Sequence, residues 1–438
     1  MKEIKGIKLT EKLRTHIEEN LNKKNKDNKD IEVKNIGPKE VSIADGYYVP
    51  TYRDLVEQIA NLSYINKDYL LFFRGQESEH KMPNSERSSF YPTIYRGHLR
   101  EDDLLYKFKT LDIASEKLKR LLEENNVENV NELKRKKYIC WSILQHYEVT
   151  DTPLIDITQS LKVACSFAQL KKTEDEVFVY VFGLPYYINR ISHNSEQDLI
   201  NIRLLSICHP TALRPYFQEG FLVCTEDITY KYETKDELDL NNRLIAKFKI
   251  PNNTEFWGSE FKKIPKEALY PSKDQIAEIC NTIRDEINVK ILAIPLRRET
   301  AQDIICSHQK KINEKNLVYF STSIRIDKKK AKEQSYLLLY NKECMYLCKI
   351  KNYYEEDNKK FIPGNPIEYS PIEYSPKEFS EKEEKHWFLL STIEKLNIKD
   401  KDKLKNFMFV NNVVNKNVYE YIEKSGRLQP FYLKGWFN

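Results

Sequence analysis

No part of this sequence stays apolar for long. The longest uninterrupted runs, such as Val177 to Leu184, are about eight residues, against the ~20 that a membrane-spanning helix needs. The opening residues, Met1-Lys-Glu-Ile-Lys, lack the apolar core of a secretory signal, so a soluble, cytoplasmic protein is expected. Paired cysteines are also missing. The eight cysteines stand singly at 140, 165, 208, 224, 280, 306, 344 and 348, mostly inside apolar runs. There is no C-x-x-C, and Cys344 and Cys348 have neither a second pair nor nearby histidines to complete a zinc site. Buried free thiols in a reducing compartment, with no metal, is the resulting expectation. Charge of one sign is lacking as well. Lys+Arg 71 against Asp+Glu 66 leaves +5, too little to mark a nucleic-acid binder by charge alone.

What is present is enough to fold. The 438 residues are 31% charged and 12% aromatic, with 28 tyrosines, which excludes collagen-like and wholly disordered chains. Residues 1–40 read as an N-terminal extension whose run Asn22 to Asp30, nearly all Lys, Asn and Asp, forms a solvated loop. From Val41 the pattern becomes a mixed α+β domain reaching to about 300. Leu55, Ile59 and Leu62 recur at helical spacing, Tyr69 to Phe73 reads as a buried strand, and residues 101–147 are mostly helical. A strand at Pro153 to Ile157, a helix at Leu161 to Ala168, and strands at Glu176 to Phe182, Phe221 to Cys224 and Leu244 to Ile250 follow, with Val289 to Leu296 closing the domain. Residues 317–438 form a smaller β-rich unit. Within it, three copies of a pentapeptide begin at Pro366, Pro371 and Pro376; proline every fifth residue predicts an exposed extended loop.

Four ordered elements carry the chemistry. Phe73-Arg74-Gly75-Gln76 places a guanidinium at a strand end beside a glycine, suited to a phosphate or carboxylate, and Arg96-Gly97 repeats the device. Leu144-Gln-His146-Tyr147 precedes a strand in which Asp156, Thr158 and Ser160 alternate and so face one way, ending at a helix N-terminus. Arg214-Pro-Tyr-Phe-Gln218-Glu219-Gly220 leads into a later strand. Each residue also has a structural reading. Arg74 equally suits an ion pair to Asp156 that anchors the fold, His146 a satisfied core histidine, and Thr158 and Ser160 helix caps. Arg214, ahead of a proline, either meets a ligand or clamps a neighbour.

Together these elements resemble the FRG domain, found in bacterial and phage-encoded proteins, often beside defence genes. Two residues depart from its usual pattern: Glu148 stands where glycine commonly follows His-Tyr, and Ile157 where tryptophan often precedes the motif threonine. The order of elements is in turn similar to ADP-ribosyltransferases. That resemblance implies a nucleotide or dinucleotide ligand, with NAD as a substrate rather than a resident cofactor. It implies Arg74, Gly75, Gln76, Arg96, His146, Tyr147, Asp156 and Arg214 in binding, and Thr158, Ser160, Gln218 and Glu219 at the reacting ribose. The expected glutamate position carries Gln218, which cannot supply charge, and Glu219, which on a strand would face the other way. A non-enzymatic recognition module is therefore carried beside the enzyme. The C-terminal unit resembles small PUA/EVE-like barrels, which implies recognition of modified DNA or RNA, with Tyr340, Tyr346, Tyr353 and Trp387 available for base stacking or for the core.

Overall fold

The computed structural model describes residues 38–437 apart from 83, 98–99, 128–135, 172–173, 188, 196, 226–237, 356–370, 379–385, 398–401, 411–416 and 427. The charged run Asn22 to Asp30 and the first pentapeptide copy lie outside the described residues. The chain divides into two compact units, Met1–Arg284 and Asp285–Asn438, and the α+β class expected from the pattern is what both display.

In the first unit, eight strands form one sheet: β1 (Tyr47–Tyr48), β2 (Leu70–Gln76), β3 (Ile155–Thr158), β4 (Glu176–Leu184), β5 (Ile191–Asn194), β6 (Leu199–Ile202), β7 (Gly220–Thr225) and β8 (Leu244–Pro251). Their order is β1-β8-β4-β2-β3-β7-β6-β5, antiparallel throughout except for the edge pair β1/β8. The continuous apolar run of β4 has a simple cause: both faces of the sheet are covered. Val177, Val179 and Val181 enter one core with Phe73, Ala164 and Phe248, while Tyr180, Phe182 and Leu184 enter the other with Phe72, Ile157 and Phe221. The helices are α1 (Pro38–Ile43), α2 (Tyr52–Ile65), α3 (Glu101–Glu124), α4 (Lys137–His146), α5 (Leu161–Ala168), α6 (Leu213–Phe217), α7 (Lys266–Leu269) and α8 (Gln275–Ile287). At the start of α2 the Thr51 hydroxyl accepts from the Asp54 amide at 3.2 Å, a side-chain cap.

The second unit holds β9 (Val289–Pro295), α9 (Ala301–Lys315), β10 (Val318–Thr322), α10 (Lys328–Lys332), β11 (Tyr336–Tyr340), β12 (Met345–Glu355), α11 (Pro371–Tyr374), β13 (His386–Leu396), β14 (Met408–Phe409), α12 (Val418–Lys424) and β15 (Phe431–Gly435). The strand order is β10-β13-β12-β11-β9-β15-β14. Here β9 corrects the sequence reading, which gave it to the first domain. It lies between β11 and β15, with Ile291 and Ala293 in one core and Leu292 and Ile294 in the other. An apolar run buried on both faces suits the centre of either sheet, so its pattern does not say which. Among the described residues the end strands β10 and β14 each pair on one side only, so the expected small barrel is an open sheet. Tyr340, Tyr346, Tyr353 and Trp387 are all buried in its cores. The second pentapeptide copy also departs from the extended loop: Pro371 opens the single turn α11, where its fixed φ and missing N–H are no handicap.

Candidate functional site

The centre of the first sheet is where it is least continuous. β2 and β3 are neighbours, yet only one residue pair, Phe73 with Thr158, is in register between them. Beyond that pair the ladder opens, and the opening is one wall of a cavity of about 220 Å³.

On β2, Gly75 lies under α5. A Cβ there would stand 1.9 Å from the Ala164 carbonyl oxygen, so the absent side chain admits the helix. The sequence reading reserved that closeness for a ligand; the backbone of α5 uses it. Arg74 alternates with Phe73 and Gly75 and so starts from the Phe72 face of the sheet. Its Nη1 donates to the main-chain carbonyl of Asp156 at 2.5 Å, meeting an acceptor that no ladder amide of β2 meets. The anticipated Arg74–Asp156 pair thus forms through backbone rather than carboxylate. Burial lowers the guanidinium from its ordinary value and the nearby Asp156 charge partly offsets this, leaving a fixed cation at the pocket edge.

Facing it are the last residues of α4 and the middle of β3. Asp156 Oδ1 lies 3.0 Å from His146 Nδ1, and its Oδ2 accepts from Gln145 Nε2 at 2.8 Å. Gln145 Oε1 in turn accepts from the Thr152 hydroxyl at 2.5 Å, which fixes the amide and through it the carboxylate. Burial alone would raise the Asp156 carboxyl; the hydrogen bonds from His146 and Gln145 and the Arg74 charge outweigh it and hold it below its ordinary 3.8. With Nδ1 facing the carboxylate, the tautomer that donates there carries its acceptor at Nε2. His146 lines the cavity, and its Nε2 is buried with no hydrogen-bond partner in the protein. Gly220 keeps it clear, since a Cβ there would sit 3.1 Å from His146 Cε1.

A depressed carboxyl makes its stability contribution above the unfolded-state value and loses it as pH falls through the folded one. Thermal scans between pH 6 and 3 should therefore show wild type losing more stability below about pH 4 than Asp156→Asn does. Parallel curves would remove Asp156 from the acid response.

The remaining expected residues divide. Thr158 and Gln218 line the pocket, with the Thr158 hydroxyl and Gln218 Nε2 engaged. The Thr158 hydroxyl donates to the Glu219 carbonyl at 3.2 Å and accepts from the Ser160 amide at 3.1 Å, while Gln218 Nε2 donates to the Leu269 carbonyl at 2.8 Å. Ser160 occupies the N-cap of α5 without a side-chain capping bond. Gln218 and Glu219 are not on a strand: they end α6, and exposed Glu219 takes the left-handed φ of 44° that turns the chain into β7. Arg214 is a clamp, its guanidinium 5.0 Å from the ring centres of both Tyr147 and Tyr270. Arg96 donates to the Tyr91 carbonyl at 3.1 Å, and neither it nor Gln76 is among the pocket walls.

Three contributors escaped the sequence reading or stood at its edge. Gln145 was visible beside His146 but had no assigned role. Tyr270 comes from the α7 exit, which carries no periodic signal; burial and then the Glu148 charge push its phenol up. Glu148 follows His146-Tyr147 with φ of 55°, the left-handed conformation in which glycine is unstrained, and it does line the pocket. The expectation of buried free thiols holds in part: all eight cysteines are free, but Cys208 and Cys344 are half-buried and Cys306 is exposed, while burial pushes Cys140 up to about 11. Among the described residues no cluster of ligating side chains suits a metal ion, and no helix is long and apolar enough to cross a membrane.

Residues 70–176 match the family described as FRG domain, so the matched segment holds Arg74, His146, Glu148 and Asp156 while Gln218 and Tyr270 come from chain beyond it. No curated protein and no solved structure matches the chain.

Proposed function

We propose that this FRG-domain protein binds the ribose end of a nucleotide or dinucleotide in the opening between β2 and β3, and that its C-terminal unit recognises the nucleic acid or protein partner to which the first unit responds. One observation carries the ligand reading: a fixed cation, an unpartnered buried ring nitrogen, a carboxylate and an aromatic wall converge on one cavity. A cavity of about 220 Å³ is smaller than the roughly 300–1,000 Å³ usual for a whole drug-sized ligand, and it suits a ribose with its attached ring. The proposal extends to a cytoplasmic, bacterial defence-type role, for which the free thiols and the family's company are the support.

The second reading, recognition without turnover, draws on a different observation. The side chains expected at the reacting sugar are either engaged within the protein, as the Thr158 hydroxyl and Gln218 Nε2 are, or outside the cavity, as Ser160 and Glu219 are. Calorimetric titration of the full chain with AMP, ADP-ribose and NAD tests the ligand itself. At least one should bind, and Tyr270→Ala should weaken it roughly tenfold, about 1.4 kcal/mol. Absence of heat with all three at millimolar concentration would end the nucleotide reading.

A further inference from the structure

We infer that the cavity is specific for guanine nucleotides, with the Glu148 carboxylate as the group that reads the base. This deepens the nucleotide reading and rests on it. Glu148 takes a φ of 55°, a conformation in which glycine is unstrained and a glutamate costs stability. Its turn is pinned on both sides: its amide donates to the Gln145 carbonyl at 2.9 Å, and its own carbonyl accepts from Arg284 Nε at 2.9 Å. Strain held in place this way brings exposed Glu148 to the cavity wall, on the side of Tyr270, whose phenol burial and then the Glu148 charge push up. Among the described residues its carboxylate makes no hydrogen bond or ion pair. The other carboxylate of the wall is occupied, since Asp156 Oδ1 faces His146 Nδ1 and its Oδ2 accepts from Gln145. Phe167 and Tyr270 line the same cavity, edge to face with ring centres 5.9 Å apart, and offer a flat ligand an aromatic corner.

A carboxylate offers two acceptor oxygens side by side, and so selects an edge with two neighbouring N–H donors. Among the common bases guanine alone has one, N1–H beside the N2 amino group. Adenine and cytosine set their amino group beside a bare ring nitrogen, and in uracil and thymine two carbonyls flank the one N–H, so each turns a lone pair toward the carboxylate. The nicotinamide amide likewise puts its carbonyl beside its amino group. A guanidinium has the right donors but brings a second positive charge beside Arg74, which is fixed at the Asp156 carbonyl. A ribose diol also suits a carboxylate, but the Tyr270 ring on the same wall calls for a flat partner rather than a puckered one. Guanine is neutral and flat: it stacks in the aromatic corner while its Watson–Crick edge meets Glu148.

The test is calorimetric titration of the full chain with GMP, IMP and AMP. GMP should bind about tenfold tighter than IMP, which lacks the N2 amino group and with it one charge-assisted bond, and tighter still than AMP. Glu148→Gln should weaken GMP about tenfold and strengthen AMP, because a carboxamide accepts from the adenine N6 amino group while donating to N1. A purely structural glutamate would give no such reversal. GMP bound by wild type no tighter than IMP or AMP would overturn the inference and leave the nucleotide reading in place. A Glu148→Gln variant that keeps the wild-type order would overturn it too, as would one that loses GMP and AMP alike, the mark of a carboxylate on the ribose hydroxyls. Agmatine bound in preference to GMP would give the site to a guanidinium instead. No heat with any nucleotide at millimolar concentration would remove the reading beneath it.

Discussion

Replacing Asp274 with alanine should destabilise the first unit by ~4 kcal/mol or more, a large share of the 5–15 kcal/mol that holds a typical protein folded. Asp274 is 1% exposed. Its Oδ1 accepts from the Ile276 and Ala277 amides at 3.0 and 3.2 Å, capping α8. Its Oδ2 accepts from the Leu213 and Arg214 amides at 3.1 and 3.2 Å, at the start of α6, and from the Tyr147 hydroxyl at 2.6 Å. Alanine would leave these donors buried without an acceptor, each costing about 1–3 kcal/mol, though not additively. At roughly 2–4 °C per kcal/mol for a unit of this size, the midpoint in scanning calorimetry should drop by about 10 °C. Asp274→Asn keeps acceptor oxygen and should lose less. A midpoint within 2 °C of wild type for the alanine variant, roughly the effect of less than 1 kcal/mol, would show that water takes over the bonds. Because Tyr147 is one face of the Arg214 clamp and Tyr270 the other, ligand affinity should fall together with stability.

The second large effect is expected at Gly75. Alanine there would put its Cβ 1.9 Å from the Ala164 oxygen and 2.8 Å from the Ala168 amide nitrogen, both main-chain atoms of α5 that no rotamer change can move. The helix has to retreat from β2, opening the core of Ala164, Cys165, Ala168 and Phe73. Overpacking of this kind costs about 3 kcal/mol or more. Urea titration should show the midpoint shifted down by that amount divided by the slope, with the slope unchanged. An unshifted midpoint would mean that α5 slides without loss, and the role of Gly75 would have to be sought in the ligand instead.

The sequence reading located the strands and helices of the first unit well, since β-branched runs and helical spacing report burial directly. Of the twelve site residues it singled out, Arg74, Gly75, His146, Asp156, Thr158 and Gln218 are walls of one cavity, while Gln76, Arg96, Tyr147, Ser160, Arg214 and Glu219 are not. What it missed has particular causes. The partner of Arg74 is a main-chain carbonyl, exposed by a break in strand pairing that no residue type encodes. Glu219 was placed on a strand because nothing in Gln218-Glu219-Gly220 marks a left-handed turn at a glutamate. Asp274 and Tyr270 sit beyond the motif-bearing segment, and only the tertiary fold brings them to Tyr147 and Arg214. The C-terminal aromatics could be counted but not oriented, and the interior holds them.

The single rung between β2 and β3 has a mechanical meaning. The strand order places four strands on either side of it, β1-β8-β4-β2 and β3-β7-β6-β5, so the sheet is two ribbons joined at Phe73 and Thr158. Where a full ladder would join the halves by backbone bonds, a side chain does so here, Arg74 reaching the Asp156 carbonyl, with the apolar core of Phe72, Ile157 and Phe221 beneath it. Substituting Arg74 would therefore remove a tie between two halves of a sheet as well as a charge from the cavity.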